Sequence, residues 1–237
     1  MDDLMTLATR LISLETQRVE SAGRNIANTA TPGYKREIAF QEVLAEGLPG
    51  ATPATAATAV TRTATDFSAG KLVHTGNPLD ISITGPGFFE VLTADGPIYT
   101  RAGSFQRDAN GRLVTSQGRP LQGKNGDVIV SQGNWHVERD GTVIDNGNPT
   151  SVIRVVRFDD PAKLVRNGDG LYAPNGMRAT DADTIQLAQG FIESSNVSSA
   201  ADMMQLMEAM RRVEAGQKLV HAYDDMVGNV LQRLGDM

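Results

Sequence analysis

The sequence predicts a mainly β central domain with an α-helix at each end of the chain, and three observations support this fold class. Both the N-terminal and the C-terminal run carry apolar residues at alternating spacings of three and four, which is the period of a coiled-coil seam. Between residues 95 and 147 the chain contains five Asn-Gly or Asp-Gly dipeptides. These dipeptides favour two-residue hairpin turns, so we expect short antiparallel strands in a meander, sandwich or small barrel.

Composition narrows the function classes. At 237 residues the chain can hold one or two domains. It has no cysteine, which excludes disulfides, thiolate metal sites and a cysteine nucleophile. A net charge of −6 and the lack of a Lys/Arg block argue against nucleic acid as a partner. No apolar run is long enough to span a membrane, and the acidic start does not resemble a cleavable signal peptide.

Residues 1–28 are predicted to form the N-terminal helix of a coiled-coil-like terminal domain. The leucines at its seam are Leu4, Leu7, Leu11 and Leu14. The helix should end before Pro32, because proline disfavours helical backbone in the residue that precedes it, and Gly33 permits a turn. We therefore expect Pro32 and Gly33 to set the direction in which the chain leaves the helix.

The middle of the chain divides by composition into three segments. Residues 29–70 are predicted to be an extended connector, because residues 50–65 are nearly all Ala and Thr and can bury little surface. Residues 71–173 are the predicted β domain, with apolar–polar alternation at 79–83 and a second strand at 152–158. Residues 174–195 are the predicted return connector.

Residues 196–237 are predicted to form the C-terminal helix of the terminal domain. Ser198 or Ser199 is a suitable N-cap, and Asp202 stands in the first turn, where the helix dipole favours negative charge. The apolar seam residues that we select as assembly candidates are Met203, Leu206, Met210, Val213, Val220, Val227 and Leu231. This helix is longer than the N-terminal helix, so its stripe could serve an intramolecular core, an assembly surface or both.

No residue pattern predicts catalysis. The three histidines, His74, His136 and His221, are far apart in sequence, and neither an HExxH nor a GxSxG motif occurs. We therefore predict no catalytic, cofactor-binding or metal-binding residue and no cofactor.

Several segments, in order along the chain, resemble signatures of the bacterial flagellar axial proteins, the family of rod and hook subunits. They are residues 22–35, 65–80, 85–89, 99–105 with 110–111, and 190–197. The first and last of these signatures contribute further assembly candidates: Asn25, Asn28, Pro32, Gly33, Ser195, Asn196 and Val197. Segments 118–123 and 167–172 look most like the proximal-rod members. Val213 and Gly216 stand where distal-rod and hook members usually have an aromatic residue and an asparagine, and this departure favours the proximal-rod members.

The resemblance implies a structural subunit of the proximal rod that assembles helically through its terminal helices and transmits motor torque. It implies export without a cleaved signal and a location in the flagellar basal body, spanning the periplasm. The implied partners are further copies of the chain, inner-rod proteins below, the distal-rod protein above, the export apparatus and the rod cap.

Two alternatives remain open from the sequence. Within the family, the chain could be the distal-rod subunit. Outside the family, it could be a β-sandwich enzyme or binding module with a helical oligomerisation stalk. A cleft in which Asp, Glu and His side chains converge would favour the enzyme.

Overall fold

The computed structural model describes residues 2–45, 57–182, 184 and 186–235. The chain folds into two compact units. Unit 1 comprises residues 1–27, 37–65 and 198–237, and unit 2 comprises residues 28–36 and 66–197. The chain therefore passes from one unit to the other after residues 27, 36, 65 and 197.

Unit 1 contains the two long helices, α1 (Asp2–Ala27) and α2 (Ser199–Gly235), and one hairpin made of β1 (Glu37–Ala45) and β2 (Ala57–Thr65). The helices run antiparallel, because Glu15 of α1 bonds Arg212 of α2 while Asn25 bonds Asp202. This register places the start of α1 opposite residue 225 or so, which leaves the last turns of α2 without a facing turn of α1. The predicted helix at each end of the chain is confirmed.

The hairpin of unit 1 differs from the extended connector expected at residues 29–70. β1 and β2 pair antiparallel over their full length, from Glu37 opposite Thr65 to Ala45 opposite Ala57. The physical reason lies in β2, which carries a β-branched residue at five of its nine positions. Such residues favour extended, paired backbone even where the side chains are small.

Unit 2 is built from short strands, every pair of which is antiparallel. Its strands are β3 (Leu72–His74), β4 (Ile81–Ile83), β5 (Phe88–Thr93), β6 (Gly96–Thr100), β7 (Gln106–Arg107), β8 (Leu113–Val114), β9 (Gln122–Gly123), β10 (Gly126–Asp127), β11 (Trp135–Val137), β12 (Thr142–Asp145), β13 (Asn148–Val152), β14 (Val155–Arg157), β15 (Val165–Arg166), β16 (Leu171–Ala173), β17 (Thr180–Asp181), β18 (Leu187–Gln189) and β19 (Phe191–Glu193). A single turn of 3-10 helix spans Pro161–Lys163. The predicted mainly β middle of the chain is confirmed.

The largest sheet of unit 2 has the strand order β15-β16-β6-β5-β14-β17. A largely aliphatic core in this unit includes Phe89 and Phe105, whose rings meet edge to face, and a second cluster gathers Phe88, Tyr99 and Phe158. Residues 174–195, expected as a return connector, contribute β17, β18 and β19, which pair with β14, β4 and β3. Strands of two or three residues are too short for alternation to reveal them in sequence.

Candidate assembly surfaces and segment junctions

The contact between α1 and α2 uses a stripe next to the predicted leucine seam. Ala8, Glu15 and Ala22 of α1 are buried, as are Ala209 and Gly216 of α2. Alanine and glycine at four of these five positions let the two backbones approach closely, and the fifth, Glu15, accepts a hydrogen bond from Arg212. The pairing therefore leaves part of the predicted leucine seam facing away from the partner helix.

Gly216 explains the unusual residue pattern of α2. A methyl group placed on its Cα would lie 2.8 Å from Cγ1 of Ile12, well inside van der Waals contact. The glycine thus makes room for a branched side chain of α1, at the helix-propensity cost of about 1 kcal/mol relative to alanine. A larger residue such as asparagine could not occupy this position unless Ile12 moved.

The assembly candidates on the two helices divide by exposure. Leu7 and Leu11 are 68% and 42% exposed, and Met203 and Met210 are each 49% exposed. Leu14 is buried, and Leu206, Val213, Val220 and Val227 are partly buried. The side chains of Leu4 and Leu231 lie outside the described part of the structure.

The exposed side chains of α2 extend the apolar surface. Met204, Met207, Leu219 and Met226 are between 48% and 62% exposed. Isolated exposed apolar residues are ordinary, whereas a run of them along one helix marks an interaction surface. Flexible thioether side chains suit contacts with neighbours that are not quite equivalent.

Asn25 joins three chain segments inside unit 1. Its Oδ1 accepts a hydrogen bond from the backbone N–H of Glu37 at 2.8 Å, and its Nδ2 donates to the Glu37 carbonyl at 2.8 Å. The same Nδ2 lies 3.2 Å from Oδ1 of Asp202, a fully buried carboxylate in the first turn of α2. Ser21 donates a further bond to the Glu37 carbonyl. The end of α1, the start of β1 and the start of α2 are therefore held together.

Gly33 lies in a tight turn of unit 2. Its φ of +68° is in the left-handed region that favours glycine, and its N–H donates to the Glu193 carbonyl at 2.7 Å. A Cβ at this position would lie 2.4 Å from the backbone carbon of Arg101. The turn therefore packs directly on the β structure of unit 2, so that this glycine contributes to the fold of the unit as well as to the direction of the chain.

Three buried charged groups, Lys35, Arg101 and Glu193, form what we call the charge cluster of unit 2. The Glu193 carboxylate accepts from Lys35 Nζ at 2.6 Å, from Arg101 Nε at 2.8 Å and from the N–H of Gly70 at 2.8 Å. Lys35 also donates to the Ser68 carbonyl at 2.7 Å. The three side chains are between 1% and 6% exposed, so the cluster places one net positive charge in the interior.

Electrostatics in the charge cluster follow from burial and pairing. Burial lowers the pKa of the Lys35 ammonium, and the hydrogen bond to Glu193 only partly opposes this shift. Burial alone would raise the pKa of Glu193, but Arg101, Lys35 and the Gly70 N–H together outweigh it and hold that pKa below its usual value. Glu193 is therefore ionised at neutral pH.

A cavity of about 450 Å³ opens beside this cluster. Its lining includes Lys35, Arg101 and the aromatic side chains of Phe67, Phe88 and Phe158. Histidine is absent from the lining, and both buried cations are already bonded to Glu193. The convergence of Asp, Glu and His expected of the alternative enzyme does not occur at this cavity.

Two other kinds of functional feature, a metal site and a membrane-spanning helix, were sought in the described residues. Across residues 2–45, 57–182, 184 and 186–235, no three His, Asp or Glu side chains are grouped so that they could hold a metal ion. None of the helices in those ranges is long and apolar enough to cross a membrane.

Sequence reasoning missed the charge cluster and the bonding role of the asparagines. Lys35, Glu193, Asn25 and Asn196 all fall within segments that resemble family signatures, and that resemblance was the only available signal. Arg101 lies 66 positions from Lys35 and 92 from Glu193 in the numbering. No local pattern could have joined residues so far apart.

Two family models match the chain. The model described as the flagellar hook protein FlgE/F/G D1 domain matches residues 82–146. The model described as the flagellar basal body rod FlgEFG protein C-terminal matches residues 188–233.

Curated relatives match nearly the whole chain. It is 32% identical over 229 residues to the flagellar basal-body rod protein FlgF of Escherichia coli (strain K12), with 89% of each chain covered. It is 31% identical to FlgF of Caulobacter vibrioides, with 92% of each chain covered. It is 30% identical to the flagellar basal-body rod protein FlgG of Buchnera aphidicola subsp. Schizaphis graminum, with 88% of this chain and 90% of the relative covered.

Proposed function

Since the chain belongs to the family of flagellar basal-body rod proteins, we propose that it forms part of the proximal segment of the rod. It is a structural rod subunit and not an enzyme, it acts in the flagellar basal body, and it assembles with other rod components. The position within the rod and the identity of each neighbour are the parts that we propose.

The observation that carries the assembly role is the exposed apolar surface on a helix pair that is already packed. α1 and α2 bury one stripe against each other and still present Leu7, Leu11, Met203 and Met210 to solvent. Neighbouring subunits would cover this second surface. Helical stacking of subunits requires head-to-tail contacts between two different faces, which a pair of long helices with several apolar faces can supply.

The proximal position rests on residue patterns. Relatives of both the FlgF and the FlgG kind match at 30–32% identity. Segments 118–123 and 167–172 resemble the proximal members. The close approach of Ile12 to Gly216 suits a helix pair that lacks the asparagine usual in distal members. We propose inner-rod proteins below and the distal-rod protein above as neighbours, with the export apparatus and the rod cap as partners before and during assembly.

Photo-crosslinking in isolated basal bodies tests this position. Gln217 and Gln232 are exposed on α2, so a photoreactive residue at either site should not disturb the subunit. We expect crosslinks to an inner-rod protein and to the distal-rod protein. Crosslinks to hook protein without any to an inner-rod protein would move the chain to the distal position.

A further inference from the structure

The side chain of Asn196 connects three segments of unit 2. Its Oδ1 accepts from the backbone N–H of Arg36 at 2.7 Å. Its Nδ2 donates to the carbonyls of Asp66 at 2.9 Å and of Ser68 at 3.1 Å. The amide side chains of asparagine and glutamine are uncharged and each offers one acceptor atom and two donor hydrogens. Asparagine is the shorter of the two.

These three segments are the ones that carry the chain out of unit 2. Arg36 is the last residue of unit 2 before the chain enters unit 1, Asp66 is the first after it returns, and Asn196 is one residue before the final exit. The N–H of Asp66 also donates to the Arg36 carbonyl at 2.8 Å. Three of the four connections between the units are therefore joined within unit 2, close to the points where they leave it.

The charge cluster joins the same segments a few residues further in. Lys35 links to Glu193 by an ion pair and to the Ser68 carbonyl by a hydrogen bond. The Gly33 N–H donates to the Glu193 carbonyl. Each of the three segments is thus bonded to both of the others by at least one strong contact.

Unit 1 has its own arrangement of the same kind. Asn25 bonds to Glu37, the first residue of unit 1 after the second connection, and to Asp202, the fifth residue after the last connection. A short polar side chain again joins segments that are adjacent to the connections.

We propose that Asn196 distributes mechanical load among the three connections. Tension applied to one connection is passed through its amide to the other two, so that no segment is pulled away from unit 2 alone. A segment held only by its own main-chain bonds could detach one bond at a time, whereas linked segments must lose their shared bonds together. This inference rests on the proposed function, because a rod subunit that transmits torque carries load through these connections.

Single-molecule pulling on the full chain tests the proposal. The chain has no cysteine, so attachment points can be introduced singly. Cysteines at the exposed positions Ala30 and Ser198 would load the joined segments directly. Cysteines at the exposed positions Gln117 and Ala162 would load unit 2 from elsewhere.

The expected result depends on the direction of pulling. Asn196→Ala should lower the rupture force of unit 2 by roughly half when the pull runs between positions 30 and 198, since it removes about half of the side-chain hydrogen bonds that join the three segments, while those of Lys35 and Glu193 remain. It should leave the force between positions 117 and 162 nearly unchanged. Asn196→Asp keeps an acceptor for the Arg36 N–H but places a carboxylate oxygen against the carbonyls of Asp66 and Ser68, so it should lose at least as much force as Asn196→Ala. Asn148→Ala, in an exposed hairpin, is the matched control.

Equal losses of force in both directions would mean that Asn196 only stabilises unit 2 in general, and this would overturn the proposal. An unchanged force between positions 30 and 198 would overturn it as well. The measurement uses the purified chain, so its outcome is independent of the crosslinking test of the position in the rod. The two hypotheses can therefore fail separately.

Discussion

Replacing Glu193 by glutamine should destabilise unit 2 severely. The carboxylate accepts three bonds at 2.6–2.8 Å, two of them from the buried cations Lys35 and Arg101. Glutamine has nearly the same shape but no charge, and its amide group would point donors at a cation. Removing one partner of a buried ion pair costs about 3–5 kcal/mol, because the remaining charge is left without compensation. For a unit of this size, that loss should lower the melting temperature by roughly 10 °C or more.

The single tryptophan makes this measurement specific to unit 2. Trp135 begins β11 and packs against the aliphatic core, so its fluorescence reports the unfolding of unit 2. Circular dichroism at the helical band reports mainly on α1 and α2. Glu193→Gln should move the tryptophan transition in denaturant far more than the helical one. Glu138→Gln, on an exposed side chain of the same unit, is the control and should change neither.

The net charge left in the charge cluster predicts which of two substitutions, Lys35→Met or Glu193→Gln, costs more stability. Lys35→Met leaves one cation and one anion in the cluster, whereas Glu193→Gln leaves two cations. Burial already lowers the pKa of Lys35, which shows that its charged form is disfavoured there. We therefore expect Lys35→Met to cost clearly less stability than Glu193→Gln. An equal or larger loss for Lys35→Met, or a tryptophan transition in Glu193→Gln like that of the control, would refute this reasoning.

Three further outcomes are expected. The free energy of unfolding of unit 2 should fall as the pH drops below 4.5, the ordinary pKa of a glutamate. The reason is that the pKa of Glu193 is held lower than this value in the folded chain, so that its ionised form stabilises the fold at higher pH. In Glu193→Gln, the part of the acid destabilisation that comes from this carboxylate should be missing. Gly216→Val should lower the thermal midpoint of the helical signal by crowding Ile12, and adding Ile12→Ala should restore part of it; no recovery in the double variant would contradict the packing. Leu11→Asp should leave both unfolding transitions near normal, because Leu11 is 42% exposed, but should abolish motility, and normal swimming would count against assembly through this surface.

The sequence predicted the elements whose pattern is long enough to be periodic. Both helices span many turns, and the apolar spacing revealed each one together with its approximate ends. The hairpin dipeptides indicated antiparallel strands in the middle of the chain. The exact stripe on α1 was harder to predict, because a leucine seam and a neighbouring seam of small residues differ by a rotation of only one residue. A helix face with Ala8 and Ala22 is less hydrophobic than the face with the four leucines, so a hydrophobic pattern alone selects the leucine face.

The hydrogen bonds and ion pairs that join distant chain segments could not be predicted from the sequence, for a different reason. Asn25, Lys35, Glu193 and Asn196 are polar residues near turns, which in sequence look like caps or solvent-exposed positions. Their bonds join residues that are more than 100 positions apart in several cases, such as Lys35 with Glu193. Residue type gives the chemistry of such a bond, but only the topology gives the partner. The same topology makes unit 2 larger than the predicted β domain, since residues 28–36, 66–70 and 174–197 also belong to it.

The most direct measurement for the rod assignment is electron microscopy of a strain in which this gene is deleted. We expect the deletion strain to have neither hook nor filament, and we expect the wild-type chain to restore both while Leu11→Asp does not. A deletion strain that keeps a hook and a filament would contradict the central claim that this subunit is a structural part of the rod.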